Sequence, residues 1–282
     1  MLALVVASAV SWFFVTLFWL IFFPEGNAAL ILGALTVGAI IAVSRTPLVA
    51  KLMLKAAKAK EDPEATNYVN YIIGKYLPGV LPHPVQLTVI SDPAPNAFAV
   101  GRNNLLVTSG LLCSATEEEL AGALGHEIAH LRRGDGVNIF SALIVFVPAV
   151  IGMFVFGAAI ALFFAVATMA LALFRPRDAL GAGAMGLFGL SFYAAAAYVS
   201  CWIVALALRA TGRISEYKAD AFSAESSPAA GRGLVSFLRR FGQGTQKPTP
   251  LTAILNTHPA PEKRIARLLR VLERGEEKWA AK

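Results

Sequence analysis

Of 282 residues, 56% are hydrophobic and only 15% charged, against about 25% charged in an ordinary soluble domain, so the composition points to a membrane protein. The formal net charge of +7 would suit a nucleic acid, but the basic residues gather at the ends of apolar runs with no RNA- or DNA-binding motif beside them, so no nucleic-acid partner is expected. Cys113 and Cys201 are the only cysteines, too few for a disulfide framework and consistent with a reducing compartment.

In chain order, residues 1–23 carry no charge and are long enough to span ~30 Å of hydrocarbon as a helix. A cleaved signal peptide would instead show a basic start and a short apolar core ending in small residues. Pro24, Glu25, Gly26 and Asn27 form a turn, and Ala28 to Ser44 is again uncharged, so residues 1–44 read as a transmembrane helical hairpin. Arg45, Lys51, Lys55, Lys58 and Lys60 follow, and basic residues beside a span mark the cytoplasmic side. Residues 45–136 are therefore expected to be cytoplasmic. Within them Val85 to Ile90 alternates and is β-branched, predicting a strand that Pro93 and Pro95 interrupt. Ala97 to Val100 and Asn104 to Thr108 predict two more, joined across Gly101, Arg102 and Asn103. Thr116 to Glu119 is a capping-box pattern that opens a helix ending near Gly134.

A third uncharged run, Val137 to Phe174, is separated by Arg175 to Asp178 from a fourth, Ala179 to Leu208, so residues 137–208 read as a second transmembrane hairpin. Gly181, Gly183, Gly186 and Ala194 to Ala197 would let helices approach closely in lipid. Residues 209–282 form a polar tail.

The predicted helix before Gly134 contains His126-Glu127-Ile128-Ala129-His130. A spacing of four puts both imidazoles on one helical face, where they can bind one zinc ion. Glu127 sits beside the metal, placed to take a proton from zinc-bound water and return it to the leaving amine of a cleaved peptide. In the tail, Glu216 and Asp220 are also four apart and share a helical face. Glu216 can serve as a third ligand and Asp220 can orient a ligand imidazole from behind, although two such carboxylates taken alone also suit a solvated helix face.

These two motifs, HExxH and EYxAD, resemble those of the HtpX-like membrane endopeptidases, relatives of the CAAX-prenyl endopeptidases, and the likeness covers nearly the whole chain. The resemblance implies an integral membrane α-helical protein with four transmembrane helices and a cytoplasmic α+β zincin-like (gluzincin) metalloprotease domain. It implies zinc ligands at His126, His130 and Glu216, one ion per chain, a catalytic base at Glu127 and a supporting acid at Asp220. It further implies a multi-pass protein of the inner (plasma) membrane, acting in stress response on misfolded or damaged membrane proteins. Asn96, Ala97 and Phe98 resemble the family's segment upstream of the zinc helix, and Thr257, His258 and Pro259 with Arg264 its downstream element. Physically, an exposed edge strand at Ala97 to Val100 could pair with an extended substrate peptide, although the same residues also suit an ordinary turn and strand. His258 or Arg264 could stabilise the oxyanion on the scissile carbonyl, while Arg264 also opens an amphipathic segment, Lys263 to Leu272, whose apolar face it can cover.

His130 and Glu216 must meet on one side of the membrane, so an even number of spans separates them. Val137 to Phe174 would reach about 57 Å as helix against ~30 Å of hydrocarbon, yet two spans there would put Glu216 on the wrong side; one long helix, kinked near Pro148, gives four spans in all. The loop Arg175 to Asp178 then faces outwards. A site-2-type protease is disfavoured because the HExxH helix carries Glu117, Glu118, Glu119, Arg132, Arg133 and Asp135. A non-catalytic, metal-stabilised membrane scaffold is the alternative; it would have no need of Glu127.

Overall fold

A computed structural model describes residues 1–81, 85–242 and 259–280, with the side chains of residues 276–280 left aside. The chain falls into two compact units, Met1–Ala42 with Ser141–Leu208 and Val43–Phe140 with Arg209–Lys282.

The first unit is all helix. It is built from α1 (Leu2–Phe22), α2 (Gly26–Ser44) and the apolar parts of two longer helices, here numbered α7 (Asp135–Phe174) and α8 (Pro176–Ser226). Among the described residues these are the four helices long and apolar enough to cross a membrane. Hydrogen bonds tie α1 to α2, with the Trp12 indole donating to the Leu30 carbonyl (3.2 Å) and the Trp19 indole to Thr36 Oγ1 (3.2 Å). Between α7 and α8 the Tyr193 hydroxyl donates to the Met153 carbonyl (2.8 Å). Of the small residues in α8, Gly186 lies against the Phe164 ring, but Gly181 has nothing near it and Ala194 to Ala196 are exposed. The close-packing expectation therefore holds for one part of that helix only. Pro148 lies inside α7 without ending it.

The second unit holds a three-stranded sheet in the order β1–β3–β2, where β1 is Gln86–Ile90, β2 Ala97–Val100 and β3 Asn104–Thr108. β3 runs parallel to β1 and antiparallel to β2, pairing Phe98 with Leu106. β2 is thus an edge, and because Asn96 is bonded to Thr108, the antiparallel alternation turns the N–H and C=O groups of Ala97 and Ala99 away from β3. Around the sheet lie α3 (Pro47–Ala56), α4 (Pro63–Tyr76), α5 (Ser109–Ser114), α6 (Glu117–Arg133), α9 (Pro228–Phe241) and α10 (Pro261–Ala280).

Helix α6 is the centre of this unit. Its start is fixed by the full capping box of Thr116 and Glu119, and its end by Gly134 in the left-handed conformation (φ 62°), which costs glycine nothing. Leu120, Leu124 and Ile128 are fully buried with Ile72, Leu105, Val107 and Leu111 of α4, β3 and α5. The crossing with α9 is so close that a Cβ at Gly233 would collide with the Glu118 carbonyl. The buried Glu119 carboxylate joins these helices, accepting from the Thr116 N–H, the Ser236 hydroxyl (2.6 Å) and Arg240.

The structure departs from the expected elements at one informative place. The fourth apolar run does not give way to a separate tail, because α8 continues without a break from Pro176 to Ser226 and carries Glu216 and Asp220. Hydropathy falls after Leu208, but no proline accompanies the fall, and the lone Gly212 does not interrupt the helix.

Candidate metal centre

His126 and His130 project from one face of α6, and Glu216 faces them from α8. One ligand atom from each lies within 4.8 Å of the others. The two Nε2 atoms are 3.1 Å apart, and each is 3.5 Å from an oxygen of Glu216. Zinc bonds of about 2.0–2.1 Å in tetrahedral arrangement put neighbouring ligand atoms roughly 3.3 Å apart, so the donor set fits such an ion in both spacing and chemistry.

The outer nitrogens support this reading. His126 Nδ1 lies 2.9 Å from Asp220 Oδ1, and His130 Nδ1 lies 3.0 Å from Asp135 Oδ2. Carboxylates there favour the tautomer that leaves both Nε2 lone pairs facing Glu216. Asp135 was not singled out from the sequence. The only hint is an acid one residue beyond the capping Gly134, and its pairing with His130 depends on the sharp corner from α6 into α7.

Arg264, on α10, reaches into the same cluster. It is bonded to Asp220 through Nε (2.9 Å) and Nη2 (2.6 Å), and its Nη1 lies 3.0 Å from Glu216 Oε2. The apolar face of α10 packs on α9 through Ile265, Leu268 and Leu272 instead, so of the two readings of Arg264 the geometry favours a position at the site over a cover for that face.

Electrostatics follow from these pairs. Burial works against a charged imidazole, but hydrogen bonding to Asp135 and Glu216 outweighs it and pulls His130 up to about 9. His126 is raised in the same way by Asp220 and Glu216 against its burial. Burial would raise Asp135 and Asp220, yet His130 with Arg133, and His126 with Arg264, hold them below the usual carboxylate range. One buried and one part-buried imidazole set among carboxylates form a site that binds a cation readily.

Glu127 faces a cleft of about 310 Å³ that Asn96, Ala97 and Phe98 also line. Its Oε2 accepts the backbone N–H of Ala99 at 2.8 Å. Asn96 Oδ1 accepts the N–H of Ala97 (2.9 Å), and Phe98 is 43% exposed beside the edge. The residues expected to form the site are thus brought together, except His258, which, like Thr257, lies outside the described residues.

A profile of Peptidase family M48 matches residues 76–272. Among curated proteins, the chain is 30% identical over 221 residues to a protein of Polynucleobacter necessarius subsp. necessarius named Protease HtpX homolog, covering 70% of each chain. Proteins of the same name from Desulforapulum autotrophicum and Paraburkholderia phytofirmans are each 30% identical, covering 77% of this chain and 74% of the first, and 80% of this chain and 81% of the second.

Proposed function

Because the chain belongs to Peptidase family M48 and is a membrane metallopeptidase, we propose that His126, His130 and Glu216 hold one zinc ion and that Glu127 is the catalytic base. The observation that carries this is the pairing just described: inner ring nitrogens 3.1 Å apart facing one carboxylate, outer nitrogens on two others. Zinc so held would supply Lewis acidity, polarising the scissile carbonyl and acidifying a water. Glu127 accepts the proton of the attacking water at its carboxylate and delivers it to the leaving amine. The Ala99 N–H fixes one carboxylate oxygen, Oε2, leaving Oε1 clear of that bond. Asp220 and Asp135 hold the ligand rings, and Arg264 pairs with Glu216 and helps hold Asp220 below the usual carboxylate range. His258 stays a candidate oxyanion donor on sequence alone.

An extended peptide pairs with β2 by donating N–H groups to the outward carbonyls of Ala97 and Ala99, while Asn96 and Phe98 shape the cleft. Recognition through the backbone is permissive in sequence, which suits removal of misfolded or damaged membrane proteins. Four membrane spans with both halves of the site in the cytoplasm follow from the basic residues after α2 and from the need of α6 and α8 to share one metal. A scaffold without catalysis is set aside by the family assignment.

Metal analysis and peptide hydrolysis on the purified protein and on Glu127→Gln test the reading. The variant should keep stoichiometric zinc and lose turnover by several orders of magnitude; unchanged turnover would remove Glu127 as the base. Glu216→Ala should lose both zinc and activity.

A further inference from the structure

The cleft does not end at Glu127. A second cavity, of about 390 Å³, shares Ala99 and Gly136 with it as walls and lies at the end of β2 towards Gly101. Its apolar lining comes from Val49 and Leu54 of α3 and from Val137 and Phe140 of α7. Helix α3 is pressed against the turn after β2, where a Cβ at Gly101 would come within 2.9 Å of the Ala50 methyl.

The charge of this cavity is one-sided. Arg45, Lys51 and Arg102 line it, and no carboxylate does. Arg45 donates to the neutral Asn138 side chain (2.6 Å), and among the described residues none of the three cations is in a salt bridge. Three cations over an apolar floor with no anion of their own are complementary to an acidic group on a bound chain.

We propose that this cavity is a remote substrate subsite that selects an acidic residue on the N-terminal side of the scissile bond; the inference rests on the catalytic reading above. The register gives the side and the distance. Antiparallel pairing is the more stable per residue, and a peptide antiparallel to β2 has its N-terminal half lying towards Val100 and Gly101. The reacting bond faces Glu127, which is bonded to Ala99. At ~3.3 Å per residue, Arg102 stands opposite a position roughly three to five residues before the cut. Because all three cations are exposed, each contact is modest. The expected preference for Asp or Glu over Lys or Arg there is about fivefold, or about 1 kcal/mol at 1.4 kcal/mol per decade.

The test uses the full-length protein in phosphatidylcholine nanodiscs, a mixed peptide library, and mass spectrometry of every cut. Wild type should show about fivefold acidic enrichment three to five residues before the bond. The enrichment should flatten at high ionic strength, where exposed charges are screened, and turn basic in the double variant Lys51→Glu, Arg102→Glu. Cuts indifferent to charge at these positions, or an enrichment unchanged by salt and by charge reversal, overturn the proposal while leaving the protease reading intact. Absence of any cleavage by wild type would remove the catalytic reading and this inference with it. Enrichment that is present in phosphatidylcholine but abolished in phosphatidylglycerol nanodiscs would assign the cations to lipid headgroups and likewise overturn it.

Discussion

The backbone N–H of Ala99 and the carboxylate of Glu127 are hydrogen bonded at 2.8 Å, so the edge strand that would bind substrate also holds the group that would act on it. This bond uses a donor pointing away from β3, and can be removed without touching the sheet.

Ala99→Pro is the direct test. Proline is tolerated on an edge where the N–H faces outwards, so pairing of β2 with β3 should persist. The lost bond to a charged group is worth about 1.5–3 kcal/mol, and peptide hydrolysis should fall roughly tenfold to hundredfold with zinc content unchanged. Full activity in a folded, zinc-loaded variant would mean that Ala99 does not position the base.

Asp135→Asn and Asp220→Asn keep shape but weaken the hold on the ligand rings. Supporting carboxylates of this kind are worth about tenfold to hundredfold in metal affinity, so zinc titration should show weakened binding in each. Asp220→Asn should suffer more, because the part-buried Arg264 fork also loses one of its two anionic partners, keeping only Glu216. Unchanged zinc affinity in Asp135→Asn would mean that the contact at 3.0 Å only decorates the helix corner.

The pH dependence has opposite signs with and without metal. In protein stripped of metal, His130 titrates at about 9 against about 6.5 in an unfolded chain. A folded pKa raised above the unfolded one stabilises fully below pH ~6.5, and that contribution is lost as pH climbs towards ~9. Zinc requires the neutral imidazole, so its apparent affinity should rise through the same window, by up to about tenfold per pH unit for this proton. Thermal midpoints of chelator-treated protein, and zinc titrations, at pH 6.5, 8 and 9 would reveal both trends. Midpoints that rise with pH in the stripped protein would contradict the assigned pairing.

Topology can be read with a membrane-impermeant thiol reagent on intact cells, in a background with Cys113 and Cys201 replaced. Arg177→Cys should label from outside, whereas Lys55→Cys, Arg132→Cys and Lys218→Cys should be protected. Labelling at position 218 with protection at 132 would separate the two halves of the site and defeat the shared-metal reading.

The sequence by itself determined the local features, because their causes are local. Uncharged runs give long helices, the Thr116 and Glu119 box starts α6, Gly134 ends it, and a four-residue spacing sets His126 beside His130 and Glu216 beside Asp220. The bounds of β2 and β3 were legible for the same reason, since Gly101 and the flanking β-branched residues act within a few positions. Tertiary structure alone decided what lies 44 residues or more apart: that Glu216 closes on the two imidazoles, that Arg264 binds Asp220 and not solvent, and that the Arg133 fork reaches the Ser215 carbonyl. It also decided the pairing of Asp135 with His130 across the left-handed Gly134 that joins α6 to α7, and the continuation of α8 past Leu208, where a fall in hydropathy looks like an end. Burial and close approach are properties of the packed chain, and residue spacing carries no record of them.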